Sequence, residues 1–478
     1  MPSSSIPARQ TKLRSSKSLT PPIDMHDIVE TQRRFFLTHA TRDVKYRLAA
    51  LKKLRKTIVE WEPRIAEALQ ADLGKCGTET YMTEIGMVLA GLSENISHLR
   101  RWSRPKKVMA PLAQFPSTCR VQPEPYGVTL IMSPWNYPIL LCLDPLAAAL
   151  AAGNCAVVKP SSMSPATSAV IAEMLGSIFP PEYVTTVLGG RNEIGALLKE
   201  KFDYIFFTGS PVVGHVVMRA AAENLTPLTL ELGGKSPCIV DETANIRVAA
   251  RRIAFGKILN AGQTCVAPDY LFIHSSRKQE FIAAYRAEVE RMLGAEPLKD
   301  ETFTHIVNEK HFNRLMGLMG GATAIIGGKG DSASLRIEPT LLDDVTPDSP
   351  CMQEEIFGPI LPMMTWDKWE EVEQFVLSRP RPLASYLFTT SSANERRFVN
   401  NLSFGGGCVN DTIIHLAVHG LPFGGVGDSG MGSYHGKAGF DTFTHYKSVL
   451  TKANWLDLPM RYHPYTSFAE KLLRIFLR

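Results

Sequence analysis

Apolar residues recur at three- and four-residue spacing from Asp27 onward: Ile28, Phe35 and Phe36, then Val44, Leu48, Leu51, Leu54 and Ile58. This is the period of helices with one buried face. Pro63 lies near the start of a further helical stretch that continues through Leu69, and a long amphipathic stretch from Glu79 to Trp102 follows. Prolines break the period between Arg104 and Pro125, where residues alternate around Thr118–Gln122. That pattern predicts a hairpin standing off the body, suited to an interface. The next strands are uniformly apolar: Val128–Met132, Cys155–Val158, Val184–Val187, Tyr204–Phe207 and Thr229–Leu232. Helical patterns such as Ala166–Phe179 and Gly214–Glu223 separate them, which predicts a parallel sheet covered on both faces. A second α/β series runs from Ile246 to about Phe423, with strands at Leu271–His274, Ala324–Ile326, Ile360–Thr365 and Ser385–Thr389.

A chain of 478 residues exceeds one hydrophobic core, so two or three domains are expected. The net charge of +5 is partly local, because Arg9, Lys12, Arg14 and Lys17 face only Asp24 at the start. No basic patch interleaved with aromatics is present, which argues against a nucleic-acid partner. The eight cysteines show neither Cys-x-x-Cys pairs nor histidines at zinc spacing, so no metal is expected and a reduced, cytoplasmic setting is. The longest apolar run, Ile139 to Ala152, is interrupted by Asp144 and falls short of the roughly 20 residues a spanning helix needs. Residues 1–24 are rich in Ser, Pro and basic side chains, and the expectation is a disordered tail. An organelle-targeting role for that tail stays open, as does peripheral membrane contact through the apolar C-terminus, Leu472 to Leu477.

Candidate chemistry concentrates between Leu230 and Cys265. Glu231 sits beside Gly233-Gly234, and Cys265 closes Asn260-Ala261-Gly262-Gln263-Thr264-Cys265. A thiolate is a strong nucleophile toward carbonyl carbon, and a carboxylate can activate the water that removes the acyl group. A small buried cysteine and a strand-to-turn glutamate would look alike. Phe206-Phe207-Thr208-Gly209-Ser210 with Gly214 is a strand ending in a turn that opens a helix, a terminus suited to pyrophosphate. Lys159 and Ser161 end another buried strand, where ligands of open α/β sheets bind. The Asn136 amide, within Pro134-Trp135-Asn136-Tyr137-Pro138, can donate to an oxyanion.

Together and in this order, these segments resemble the aldehyde dehydrogenase superfamily from about Met25 to Leu450, in details its class 3 branch of fatty and aromatic aldehyde dehydrogenases. The carrying stretches are Pro-Trp-Asn-Tyr-Pro at 134–138, Phe-Phe-Thr-Gly-Ser at 206–210, Leu-Glu-Leu-Gly-Gly-Lys-Ser-Pro at 230–237 and Gly-Gln-Thr-Cys-Val-Ala-Pro-Asp-Tyr at 262–270. Glu-Glu-Ile-Phe-Gly-Pro at 354–359, Val-Asn-Asp-Thr at 409–412 and Leu421 to Tyr434 complete the set. The resemblance implies an α/β fold with a Rossmann-like nucleotide domain (25–104 and 126–229), an α/β catalytic domain (230–420) and a bridging β-hairpin (105–125 with 421–450). A C-terminal tail (451–478) follows, and the assembly implied is a homodimer.

It also implies roles. Cys265 is the nucleophile, Asn136 and the Cys265 backbone N–H hold the oxyanion, and Glu231 activates water. Glu355 holds the nicotinamide ribose with Phe357 packed nearby. Lys159 faces the adenosine ribose, and Gly209 and Ser210 lie under the pyrophosphate. Ser133, Trp135, Ser161, Ser162, Gly189, Thr208, Val213, Gly214, Leu232 and Gly233 complete the cofactor contacts. The cofactor is NAD or NADP and the substrate a small-molecule aldehyde. One departure bears on the cofactor. Ser162 stands where relatives often carry a glutamate, and a hydroxyl can donate to the extra phosphate that a carboxylate would repel. Two rival functions stay open here, a coenzyme A-acylating enzyme and a non-catalytic scaffold. The presence of Glu231 weighs against the first and the intact site against the second.

Overall fold

The computed structural model describes residues 24–477. The expected tail, residues 1–24, lies outside that range apart from Asp24, whose side chain accepts from the His26 N–H and caps the first helix, Met25–Leu37. The next helix runs unbroken from Val44 to Leu73, capped by Asp43 and ended by Gly74 in the left-handed conformation. Pro63 therefore does not begin a helix but sits inside one. The carbonyl that loses its partner belongs to Val59, a residue 48% exposed, so water can take the bond. The stretch from Glu79 to Trp102 is likewise not uniform. A short helix, Gly77–Thr80, passes into a π turn, Tyr81–Ile85, before the regular helix Gly86–Trp102.

Six strands form the first sheet, in the order Gly430–Met431, Leu228–Glu231, Tyr204–Thr208, Val128–Met132, Cys155–Lys159 and Val184–Thr186. All pairs are parallel except the first, where Gly430 lies opposite Glu231. The expected strands are present to within a residue or two. The 421–450 segment divides, since Gly430–Met431 joins this sheet and only Thr444–Lys452 joins the hairpin. Strand order reverses about Val128–Met132, placing the switch point where open α/β sheets bind ligands. The helix Leu140–Ala152 packs beneath with every residue buried, Asp144 included, which accounts for an apolar run that only Asp144 interrupts.

The second sheet has seven strands, in the order Thr323–Ile326, Thr340–Asp343, Ile360–Trp366, Tyr270–His274, Pro237–Val240, Ala384–Phe388 and Gly406–Val409. It is parallel apart from the Thr323–Ile326 edge. Three of these strands lack a clear sequence signature. Gly406–Val409 opens with glycines, Pro237–Val240 opens with a proline, and Thr340–Asp343 has only four residues. The predicted hairpin is a three-stranded sheet, with Ser117–Pro125 between Lys106–Val108 and Thr444–Lys452. Among the described residues no helix is long and apolar enough to cross a membrane.

Candidate active site

Residues next to strands of both large sheets line one cleft. Loops leaving the carboxyl ends of the first sheet's strands face loops entering the amino ends of the second sheet's strands. A cleft of about 780 Å³ lies between them, lined by Trp135, Asn136, Thr208, Gly209, Ser210, Glu231, Leu232, Gly233, Cys265, Glu355 and Phe357. Eleven of the eighteen residues singled out from sequence thus share one cavity.

The remaining seven flank it. Val213 and Gly214 lie on the helix Pro211–Glu223. The Ser133 N–H donates to the Lys159 carbonyl at 3.1 Å, joining two strand ends. Lys159 is buried, its Nζ donates to the Pro160 carbonyl at 2.7 Å, and burial pulls its ammonium pKa down. Ser161 Oγ accepts from the Met163 N–H at 3.1 Å. Ser162 faces the Gly189–Gly190 turn, where a Cβ on Gly190 would stand 3.8 Å from its Oγ. Sequence reasoning passed over a carboxylate in this corner. Glu193 Oε2 accepts from the Gly190 N–H at 2.6 Å, and its charge raises the Lys159 pKa. A Cβ at Gly189, where φ is +125°, would collide with that carboxylate.

The helix Pro211–Glu223 starts with Ser210 in extended conformation and Pro211 in its first turn, leaving free N–H groups at the cleft. Gly209 is held by its N–H to the Glu231 carbonyl at 3.0 Å. Val212 and Met218 line the cleft while 76% and 43% exposed, an apolar ledge beside the helix terminus. A positive helix end next to exposed apolar side chains fits a dinucleotide's pyrophosphate and aromatic base. Gly214 lets this helix meet the Glu231 strand, because a Cβ there would lie 2.7 Å from a Leu232 methyl.

Glu231 is 2% exposed, and neither carboxylate oxygen has a hydrogen-bond partner among the described residues. Burial holds its carboxyl well above the usual carboxylate range. Gly424, in the loop Leu421 to Gly427, passes over this group. A Cβ there would stand 3.1 Å from Glu231 Oε1 and 2.2 Å from the Gly432 carbonyl oxygen. Cys265 is half-buried, and burial, followed by the charges of Glu355 and Glu231, pushes its thiol pKa up. Asn136 is 3% exposed and donates from Nδ2 to the Gln263 carbonyl at 3.0 Å, two residues before the cysteine.

Glu355 is half-buried, its pKa raised to about 8 by burial and then by Asp269's charge, against the Gly234 N–H, Lys235 and Arg314. Gly233 gives it room, since a Cβ there would meet its carboxylate at 2.1 Å. Its loop is fastened by groups with no role assigned from sequence. Lys235 pairs with Asp269 and donates to the Cys351 and Glu354 carbonyls at 2.8 and 2.9 Å. Asp269 accepts from the Ile356 N–H at 2.8 Å, and Arg314 donates to the Ile356 carbonyl at 2.6 Å. Lys235 and Asp269 both fall inside motifs already quoted, so their position was the available signal. Among the described residues no cluster could hold a metal ion.

Fold and site thus define a nucleotide-binding α/β protein whose cleft joins a cysteine to an unpaired buried carboxyl. The aldehyde dehydrogenase family model matches residues 4–449, and the chain belongs to that family. It is 48% identical over 433 residues to the 4,4'-diaponeurosporen-aldehyde dehydrogenase of Staphylococcus aureus, covering 90% of this chain and 94% of that one. It is 43% identical to the aldehyde dehydrogenase family 3 member H1 of Arabidopsis thaliana, covering 94% of each, in agreement with the class 3 resemblance. Among solved structures, a substrate-bound state of Staphylococcus aureus AldH superposes with a TM-score of 0.93 at 46% identity, over 95% of this chain and 99% of that one. A betaine aldehyde dehydrogenase of Staphylococcus aureus in complex with NAD+ superposes with a TM-score of 0.81 at 26% identity, over 91% and 90%.

Proposed function

We propose that the protein oxidises aliphatic or aromatic aldehydes to carboxylic acids with NAD or NADP, through a thioester on Cys265. One observation carries this reading: a buried carboxyl without a partner, Glu231, shares a cleft with a half-buried cysteine under a helix N-terminus. A buried unpaired carboxyl costs stability, so it persists where chemistry uses it.

Burial favours the neutral thiol of Cys265 in the resting site. The thiol gives up its proton to solvent, the thiolate adds to the aldehyde carbon, and the carbonyl oxygen becomes an oxyanion. The Asn136 Nδ2 and the Cys265 backbone N–H supply the donors for that charge. A nicotinamide bound beside Glu355 and Phe357 would supply the hydride acceptor needed for the oxyanion to collapse to a thioester on Cys265. Glu231, deprotonated, takes a proton from a water that attacks the thioester carbon, and the acid and a free thiol are released. Glu355 and Phe357 form the wall against which the nicotinamide ribose would rest. The Ser162 hydroxyl can donate to a 2′-phosphate that a carboxylate at this position would repel, so NADP is accepted as well as NAD.

Residues 25–104 with 126–229 serve as the nucleotide-binding domain and 230–420 as the catalytic domain. The three-stranded sheet bridges two copies. Exposed Val108, Leu112, Phe115, Tyr446 and Leu450 around it form an apolar surface that a homodimer would cover. Eight unpaired cysteines suit a reduced compartment, which supports a cytoplasmic location. The test is NAD(P)H formation from an aldehyde panel with and without coenzyme A. Equal rates in both are expected, and turnover that required coenzyme A would move the enzyme to the acylating class.

A further inference from the structure

The segment between the helices Val44–Leu73 and Gly86–Trp102 carries Lys75, Glu79 and Glu84, which no step above uses. Lys75 and Glu84 are both fully buried and pair at 2.6 Å. Apolar side chains can often replace such a pair without loss of stability, so its partners are informative. Glu84 Oε2 accepts from the Ile139 N–H at 2.8 Å and the Leu140 N–H at 3.3 Å, at the start of the helix Leu140–Ala152. Lys75 Nζ donates to the Asn136 carbonyl at 3.3 Å and lies 4.3 Å over the Tyr137 ring. One ion pair thus grips both ends of the turn from Asn136 to Leu140.

That turn is stitched to the nucleophile loop. The Asn136 carbonyl takes a second bond from Asn260 Nδ2 at 2.9 Å, and the Gln263 carbonyl accepts from both Asn260 Nδ2 and Asn136 Nδ2 at 3.0 Å. The Tyr137 and Thr264 hydroxyls meet at 2.6 Å, one residue before Cys265. Asn260 and Ala261 hold φ values of +52° and +50°, a conformation that costs energy outside glycine, and Glu79 secures it by accepting from the Asn260 N–H at 2.8 Å. The π turn Tyr81–Ile85 delivers Glu84 inward. It needs Gly86, where a Cβ would stand 2.8 Å from the Tyr81 carbonyl oxygen.

We propose that the buried Lys75–Glu84 pair is a positioning device for oxyanion stabilisation: it fixes the backbone of Asn136 so that its amide stays registered on the Cys265 loop. The inference rests on the assignment of Asn136 as oxyanion donor. Lys75 and Glu84 touch no reacting atom and act only through that turn.

A double-mutant cycle with Asn136→Ala separates this role from a general structural one. The rate of the first NAD(P)H equivalent per active site is measured by stopped flow, alongside the Kd for NAD by fluorescence titration. Lys75→Met is expected to slow that step about 10- to 100-fold in the wild-type background, the scale of a misplaced catalytic group. In the Asn136→Ala background the same change should cost less than about threefold, because the group it positions is gone. The Kd for NAD should stay within about twofold in every variant, since neither Lys75 nor Glu84 bonds to a residue assigned to the cofactor. Equal factors in both backgrounds, or no slowing in either, would overturn the proposal. If Lys75→Met does not fold, the isosteric Glu84→Gln enters the same cycle under the same rule. An Asn136→Ala variant as fast as wild type would first remove the oxyanion assignment and this inference with it, an outcome distinct from multiplicative losses.

Discussion

Replacing Glu231 with Gln separates function from stability in opposite directions. The carboxyl has no partner and is 2% exposed, so its charged form lacks both water and a counter-ion. Its folded pKa lies well above the usual carboxylate range, burial being the cause. Folded protein therefore keeps a proton that unfolded chain releases, and stability falls as pH rises from the unfolded pKa toward the folded one. The slope is about 1.4 kcal/mol per pH unit while the pH lies between the two. Relaxation and water entry reduce this, so Glu231→Gln should stabilise the protein by about 1 to 3 kcal/mol near pH 7 and remove that part of the pH slope. Turnover should move the other way. Gln cannot take a proton from water, and losing a general base costs roughly 10²- to 10⁴-fold. The first equivalent of NAD(P)H should still form in a burst near one per site, followed by slow release of acid. In wild type the slow step should speed up with rising pH as Glu231 deprotonates. The assays are thermal melts from pH 5 to 9 and stopped-flow NAD(P)H formation. A Gln variant that melts lower than wild type at pH 8, or keeps more than about a tenth of its turnover, would refute the reasoning.

Further consequences concern the cofactor corner and the loop over Glu231. Wild type should use NADP at a kcat/KM within about tenfold of that for NAD, and Ser162→Glu should lower NADP use by roughly 5- to 150-fold, the effect of 1–3 kcal/mol of charge repulsion. Steady-state kcat/KM for both cofactors in both proteins at fixed ionic strength checks this, and outright rejection of NADP by wild type would assign the exclusion to Glu193. Gly424→Ala should lower both the melting temperature and turnover, the latter at least about tenfold, because its Cβ meets backbone that cannot yield cheaply. Wild-type activity in that variant would mean the loop does not pack on Glu231.

How much was legible from sequence follows how local each signal is. The strands Val128–Met132 and Tyr204–Thr208 announce themselves as apolar runs ended by turns, and the ligand-facing ends are the turns themselves. The π turn at Tyr81–Ile85 leaves the apolar period nearly intact, so nothing marks Glu84 as facing inward. Pro63 reads as lying near a helix start because proline favours first turns, yet it is tolerated mid-helix where Val59, four residues earlier, is exposed to water. The placement of Lys75 against Asn136, and of Gly424 against Glu231, joins residues far apart in the chain and has no periodicity to reveal it. Glu193 was missed because a glutamate in a helix's first turn looks like ordinary capping, which it also performs.

The central claim is that substrate passes through a covalent bond to Cys265. Its most direct measurement is mass spectrometry of the Glu231→Gln protein, quenched in acid a few turnovers after mixing with aldehyde and cofactor. The account predicts that the peptide containing Cys265 is heavier by the acyl group in a fraction matching the burst, and that Cys265→Ser shows neither adduct nor burst. Adduct on another of the eight cysteines, or a full burst with Cys265 unmodified, would contradict it.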